Sequence, residues 1–148
     1  MKKNELFIGA LVNIYDFPND NPQEDDLFPA RVTSVSSFDP FKNPEDVTVE
    51  LVLIPQKGIA SRPLDTCLPI PITGKRLKEH GFAEVEMCDT FELSNDYHEI
   101  EIWEYSDSIW VVKYHSCEFA GIPDEQVTVS HWHELQYMMN KWGVELCE

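Results

Sequence analysis

The chain has 148 residues, 43% of them hydrophobic and 11% aromatic, a composition typical of folded globular proteins with room for one domain or two small lobes. Eleven basic residues against 27 acidic ones leave a formal charge of −16. A surface of that sign repels phosphates, so direct nucleic-acid binding is not expected, and no apolar run approaches the roughly 18 residues of a membrane-spanning helix.

The chain opens with MKKNELFIGALVNIYD. Two lysines precede an apolar run, but Glu5 interrupts the positive region, Gly9 breaks the run and no small-x-small cleavage site follows. The segment therefore reads as a first strand and the expected compartment is the cytoplasm. Near-alternating β-branched residues predict strands at 10–16, 29–38 and 46–54. In the third, Val47, Val49, Leu51 and Leu53 share one face and Thr48 and Glu50 the other, until Val52 and Ile54 make both faces apolar. Residues 16–26, DFPNDNPQEDD, form an acidic loop that lacks the Gly and terminal Glu of a calcium-binding EF-hand. A second turn-rich connection, FDPFKNPED, covers 38–46.

In PIPITGKRLKEHGF, residues 69–82, the hydroxyl of Thr73 is placed to cap a short helix that runs to His80. Gly81 ends it, because the residue after a C-cap usually turns left-handed, and Phe82 falls where it meets Leu77. Period two returns at 84–93, 97–105 and 108–115, the last two joined through Ser106 and Asp107, and again at 126–129. A closing helix is expected from about His131 to Trp142, capped by Ser130 and stopped by Gly143, with Val144 against Met139. Trp132, Leu135, Met139 and Trp142 form its apolar stripe, which at this spacing is a core element.

Candidate chemistry is sparse. Cys67, Cys88, Cys117 and Cys147 form no CxxC pair and read as reduced thiols. His131 and His133 are the metal-ligand candidates, yet two residues apart on a helix their side chains diverge by about 200°. The zincin pattern HExxH requires a second histidine where this chain, with HELQY, has Tyr137. The chain has no GxSxG elbow, phosphate loop or dinucleotide fingerprint. Asp96, His98 and Cys117 are generic ingredients of nucleophilic catalysis with no pattern joining them. Among the aromatics, Trp103, Tyr105, Trp110 and Tyr114, with Tyr97, either line a binding groove or form a sheet face under a helix.

The segments PIPIT…L…HGF and HELQYMMNKWGVEL resemble those of a family of short uncharacterised proteins from Bacteroides-type bacteria, often encoded near phage or mobile-element genes. Members open with LRIGN, carry PIPLT before a short helix ending in FGF, and close with VHxLQNLYxxLTGEEL. The matching positions are Leu6, Ile8 and Gly9; Pro69 to Thr73, Leu77, Gly81 and Phe82; and His133, Leu135, Gln136, Gly143, Glu145 and Leu146. Ala10 and Trp142 depart from the pattern. The resemblance implies no activity, and its Gly-centred opening is compatible with an SH3-like barrel.

The expected fold is α+β: a β-rich SH3-like lobe at 1–72, then at 73–148 a short helix, an antiparallel sheet and a C-terminal helix packed on it, sharing one core. The expected function is that of a non-enzymatic protein-binding or accessory module without a cofactor, meeting a partner through an acidic or aromatic surface. The alternatives are a small metal-dependent enzyme using His133 and Glu134, and an acidic mimic of nucleic acid that binds a basic partner.

Overall fold

The computed structural model describes residues 6–15, 27–37, 39, 41–54, 58–116 and 123–146. The architecture is mixed α+β, with two antiparallel sheets and two helices among these residues. It divides into two compact units, Met1–Ile70 and Pro71–Glu148. The acidic loop at 16–26, Cys117 and Cys147 lie outside the described residues.

Unit 1 is a meander of four strands, β1 (Leu11–Tyr15), β2 (Leu27–Val35), β3 (Thr48–Leu53) and β4 (Ile59–Pro63), paired in that order. The period-two pattern explains its core. Val49 and Leu51 of β3 are buried and Thr48 and Glu50 exposed, and the buried set continues through Val12, Ile14, Ala30 and Val32 to Leu64 and Cys67. Pro29 is tolerated inside β2 because it lies opposite Ile54, just past the last β2–β3 pair, Ala30–Leu53. Its carbonyl accepts from the Ile54 N–H at 3.0 Å, and the N–H it lacks is missed only where the ladder ends. A 3-10 turn at Leu64–Thr66 follows β4, and Leu68 then pairs with Asn13 on the outer edge of β1 through bonds of 2.8 and 2.9 Å. The four strands form an open sheet; the closed SH3-like barrel of the sequence expectation is not formed by them.

Unit 2 holds α1 (Gly74–Glu79), then β5 (Ala83–Val85), β6 (Thr90–Ser94), β7 (His98–Ser106), β8 (Ile109–Ser116) and β9 (Glu125–Val129), and last α2 (Trp132–Lys141). Its five strands also pair in chain order. The Thr73 hydroxyl accepts from the Arg76 N–H at 3.2 Å, as its cap position predicts. Both helices end in the same way. Gly81 at φ 98° and Gly143 at φ 71° take the left-handed turn. Phe82 N–H then donates to the Leu77 carbonyl at 3.0 Å and Val144 N–H to that of Met139 at 2.9 Å.

The sequence expectation held no strand at β4, and two turns also differ from it. Residues 84–93 form no single strand but a hairpin, β5 and β6, that reverses over Glu86–Asp89 with Met87 at φ 68°. The alternation persists on both sides of the reversal, and no Gly, Pro or Asn marks it, so period alone hides the turn. The β7–β8 connection likewise turns at Asp107–Ser108, one residue later than expected, with Ser108 at φ 62° where a glycine is usual.

A Cβ at Gly143 meets no atom within 4 Å, so Gly143→Ala isolates the cost of the left-handed backbone. A loss of about 1–2 kcal/mol in chemical denaturation is expected, with no change in the native circular dichroism.

Candidate functional site

The histidine pair sits at the start of α2. The capping residue is His131 and not Ser130: its backbone is extended, at φ −132° and ψ 157°, and the helix begins at Trp132. The carboxylate of Glu134 folds back and accepts from the N–H groups of Ser130 at 2.5 Å and His131 at 2.9 Å. Glu134 thereby satisfies donors that the helix leaves unpaired. Because His131 lies outside the helix, the divergence expected for two helical residues does not apply. The two imidazoles stack, with centroids 5.7 Å apart and planes 9° from parallel. His133 is 1% exposed, part of the core rather than of an open cleft. Tyr137, in the place of a second zincin histidine, is exposed. Among the described residues no group of three or more His, Cys, Asp or Glu side chains is arranged to hold a metal ion.

Other reactive groups are held in structural roles. Burial, reinforced by Asp65, pushes the Cys67 thiol up to about 11, so it stays protonated and poorly nucleophilic at neutral pH. Cys88 is exposed on the β5–β6 turn. His98 shares a 2.8 Å hydrogen bond with the Tyr114 hydroxyl, and Asp96 lies in the turn before it.

Of the four aromatic candidates, two are core residues. Tyr114 is fully buried and stacks on Trp142 at 4.8 Å with planes 7° apart. Trp110 is buried beside Phe91, 6.2 Å between ring centroids. Trp103 is half-buried on the opposite face, and Tyr105 is 74% exposed at the end of β7. The aromatic run is therefore split by the pleat, with Trp110 and Tyr114 under the helices and Trp103 and Tyr105 toward solvent.

Cross-strand pairing builds two depressions that a linear sequence does not display. On the outer face of the sheet, Glu99 pairs with His115 and Glu101 with Lys113, and with Asp124 they line a shallow hollow of about 280 Å³. Here His115 Nδ1 lies 2.8 Å from Asp124, and this bond, with one from the Ser116 N–H, lowers the Asp124 carboxyl below its ordinary 3.8. The second depression, about 480 Å³, lies at one end of the sheet between Ile72, Thr73 and Gly74 at the start of α1 and Asp89, Phe91, Glu104 and Trp110. Of these, Trp110 was a sequence candidate for binding and Thr73 only for capping. Asp89 and Glu104 are 15 residues apart on two hairpins, and only the β6–β7 pairing of Thr90 with Trp103 brings them to one end.

Glu125 was equally inconspicuous. It accepts from the Trp142 indole at 3.0 Å and from Lys141 at 3.0 and 3.1 Å, and these bonds hold its carboxyl below the ordinary 4.5. A depressed carboxyl contributes stability that is complete above pH 4.5 and is lost as pH falls through its lower folded value. Glu125→Gln is thus expected to lower Tm at neutral pH and to flatten its decline in melts below pH 4.5; an unchanged acid limb is the contrary result. Glu134→Ala removes the acceptor for the Ser130 and His131 N–H groups just ahead of α2 and should cost about 1–2 kcal/mol in urea denaturation.

No family model, no curated protein and no solved structure matches this chain.

Proposed function

We propose that the chain is a non-enzymatic protein-binding or accessory module that meets its partner through an acidic, apolar-studded surface of unit 2. The observation that carries this function is the group of exposed apolar side chains at neighbouring hairpin ends. Met87 is fully exposed on the β5–β6 turn, and Tyr105 and Ile109 flank the β7–β8 turn at 74% and 39% exposure. Carboxylates surround them at Glu86, Asp89, Glu104 and Asp107. Solvent-facing apolar groups set among charges are the usual composition of a recognition patch.

Catalysis finds less support in the same residues. Glu134, the acid–base candidate of the enzyme alternative, spends its carboxylate on the helix start, and His133 is closed off in the core. In unit 1, a 3-10 turn followed by the Leu68–Asn13 pair carries the chain back to the first strand, which favours an SH3-like module for that lobe. The family proposed for the whole is the phage- or mobile-element-associated bacterial group whose motifs the chain resembles, acting in the cytoplasm.

The test is reconstitution. The full chain and a partner isolated with it from native cells are expected to give a saturable 1:1 calorimetric isotherm, weakened by Tyr105→Ser and Met87→Ser with folding unchanged. Turnover of a substrate by the purified chain, abolished by His133→Ala in protein that still folds, is the result that sinks the binding-module function.

A further inference from the structure

The depression at the end of the unit 2 sheet has the chemistry of a receptor for one basic side chain. Its aromatic lining is Phe91 and Trp110, which are 7% and 5% exposed, and its charged lining is Asp89 and Glu104. Both carboxylates are exposed, and Glu104 makes only a long contact, 3.4 Å, with the Ser108 N–H. Lys75, the residue after Gly74, lies 3.8 Å from Glu79, and none of the α1 cations is part of the lining. Thr73 and Gly74 bring the start of α1 to the wall. A helix N-terminus carries at most about half a positive charge, less in a helix of six residues, so two full negative charges decide the sign of the site.

Gly74 also shapes the hollow. A Cβ there would fall 2.7 Å from Phe91 Cζ, so the missing side chain lets the ring lie against the start of α1. Outside the lining, the exposed Met87, Tyr105 and Ile109 stand in or beside the two turns at this end of the sheet. The two non-glycine residues with left-handed backbone among the described residues, Met87 and Ser108, sit one in each of the two turns at this end.

We propose that this pocket binds an arginine side chain from a basic segment of a partner protein. The guanidinium is placed between Asp89 and Glu104 against the aromatic lining, and apolar neighbours of the arginine lie on Met87, Tyr105 and Ile109. Arginine suits the site better than lysine because a planar, weakly hydrated cation can face carboxylates and rings together. A chain of net charge −16 draws such a segment from a distance and disfavours an acidic one. The site presupposes the binding-module function and specifies where and how it operates.

The experiment uses the full chain, ¹⁵N-labelled, titrated with the blocked peptide acetyl-Leu-Arg-Leu-amide and with its citrulline counterpart, which keeps the shape and removes the charge. Shifts confined to Thr73–Lys75, Asp89–Phe91, Glu104 and the Trp110 indole are expected, with the citrulline peptide at least fivefold weaker. The double variant Asp89→Asn, Glu104→Gln, at exposed positions and with an unchanged fold, should lose the response. Equal binding of the two peptides, or shifts centred on Glu99 and Glu101, would overturn the site. A reconstituted partner that binds the double variant as tightly as the parent chain also overturns it and leaves the binding-module function standing, whereas substrate turnover removes both.

Discussion

The indole of Trp142, fully buried against the sheet at the end of α2, is the contact on which the second unit depends. One face stacks on Tyr114 of β8, the ring N–H donates to Glu125 of β9, and Tyr114 passes the network on to His98 of β7. Three successive strands are thereby tied to one residue at the close of the last helix. The apolar part of the contact is large, since each such ring buries roughly 150–250 Å² and a stacked pair adds about 0.5–1.5 kcal/mol beyond area. The polar part makes it specific: an indole N–H buried without an acceptor is costly, so the helix must stop where Glu125 can reach it. Gly143 supplies that stop.

The other end of α2 is fixed by different means. His131 is held in extended backbone, pairing with Pro71 in an antiparallel bridge, and Glu134 closes over the first amides. The next residue after His131, Trp132, packs against His80 at 4.6 Å, with the Arg76 guanidinium 5.8 Å from its ring centre, so α1 is locked to α2 by the same turn. Carboxylates and imidazoles that resemble catalytic equipment in a linear sequence are consumed by these attachments. The turns at one end of the sheet leave carboxylates and a few large apolar groups exposed.

Much of the local structure was legible because it rests on short-range rules. Thr73, Gly81 and Gly143 announced both helices through cap chemistry that involves residues three to five apart. The stripe of Trp132, Leu135, Met139 and Trp142 is wholly buried, as its spacing required. Two of the departures were local: a reversal without Gly, Pro or Asn at Met87, and a helix start served by a side chain from within the helix rather than by Ser130. In both, backbone donors and carbonyls were satisfied by partners that composition does not single out.

The sequence by itself determined the class of fold, the two helix ends, the inward faces of most strands and a strongly acidic net charge, because periodicity, capping and charge are properties of neighbouring residues. Tertiary structure alone decided which aromatics are core and which face solvent, that His131 and His133 stack, and that Asp89 and Glu104 meet at one pocket. Those outcomes depend on strand register and on where a chain reverses, and register is set by the packing of whole faces against one another. A residue's chemistry is written in the sequence; its neighbours across the sheet are not.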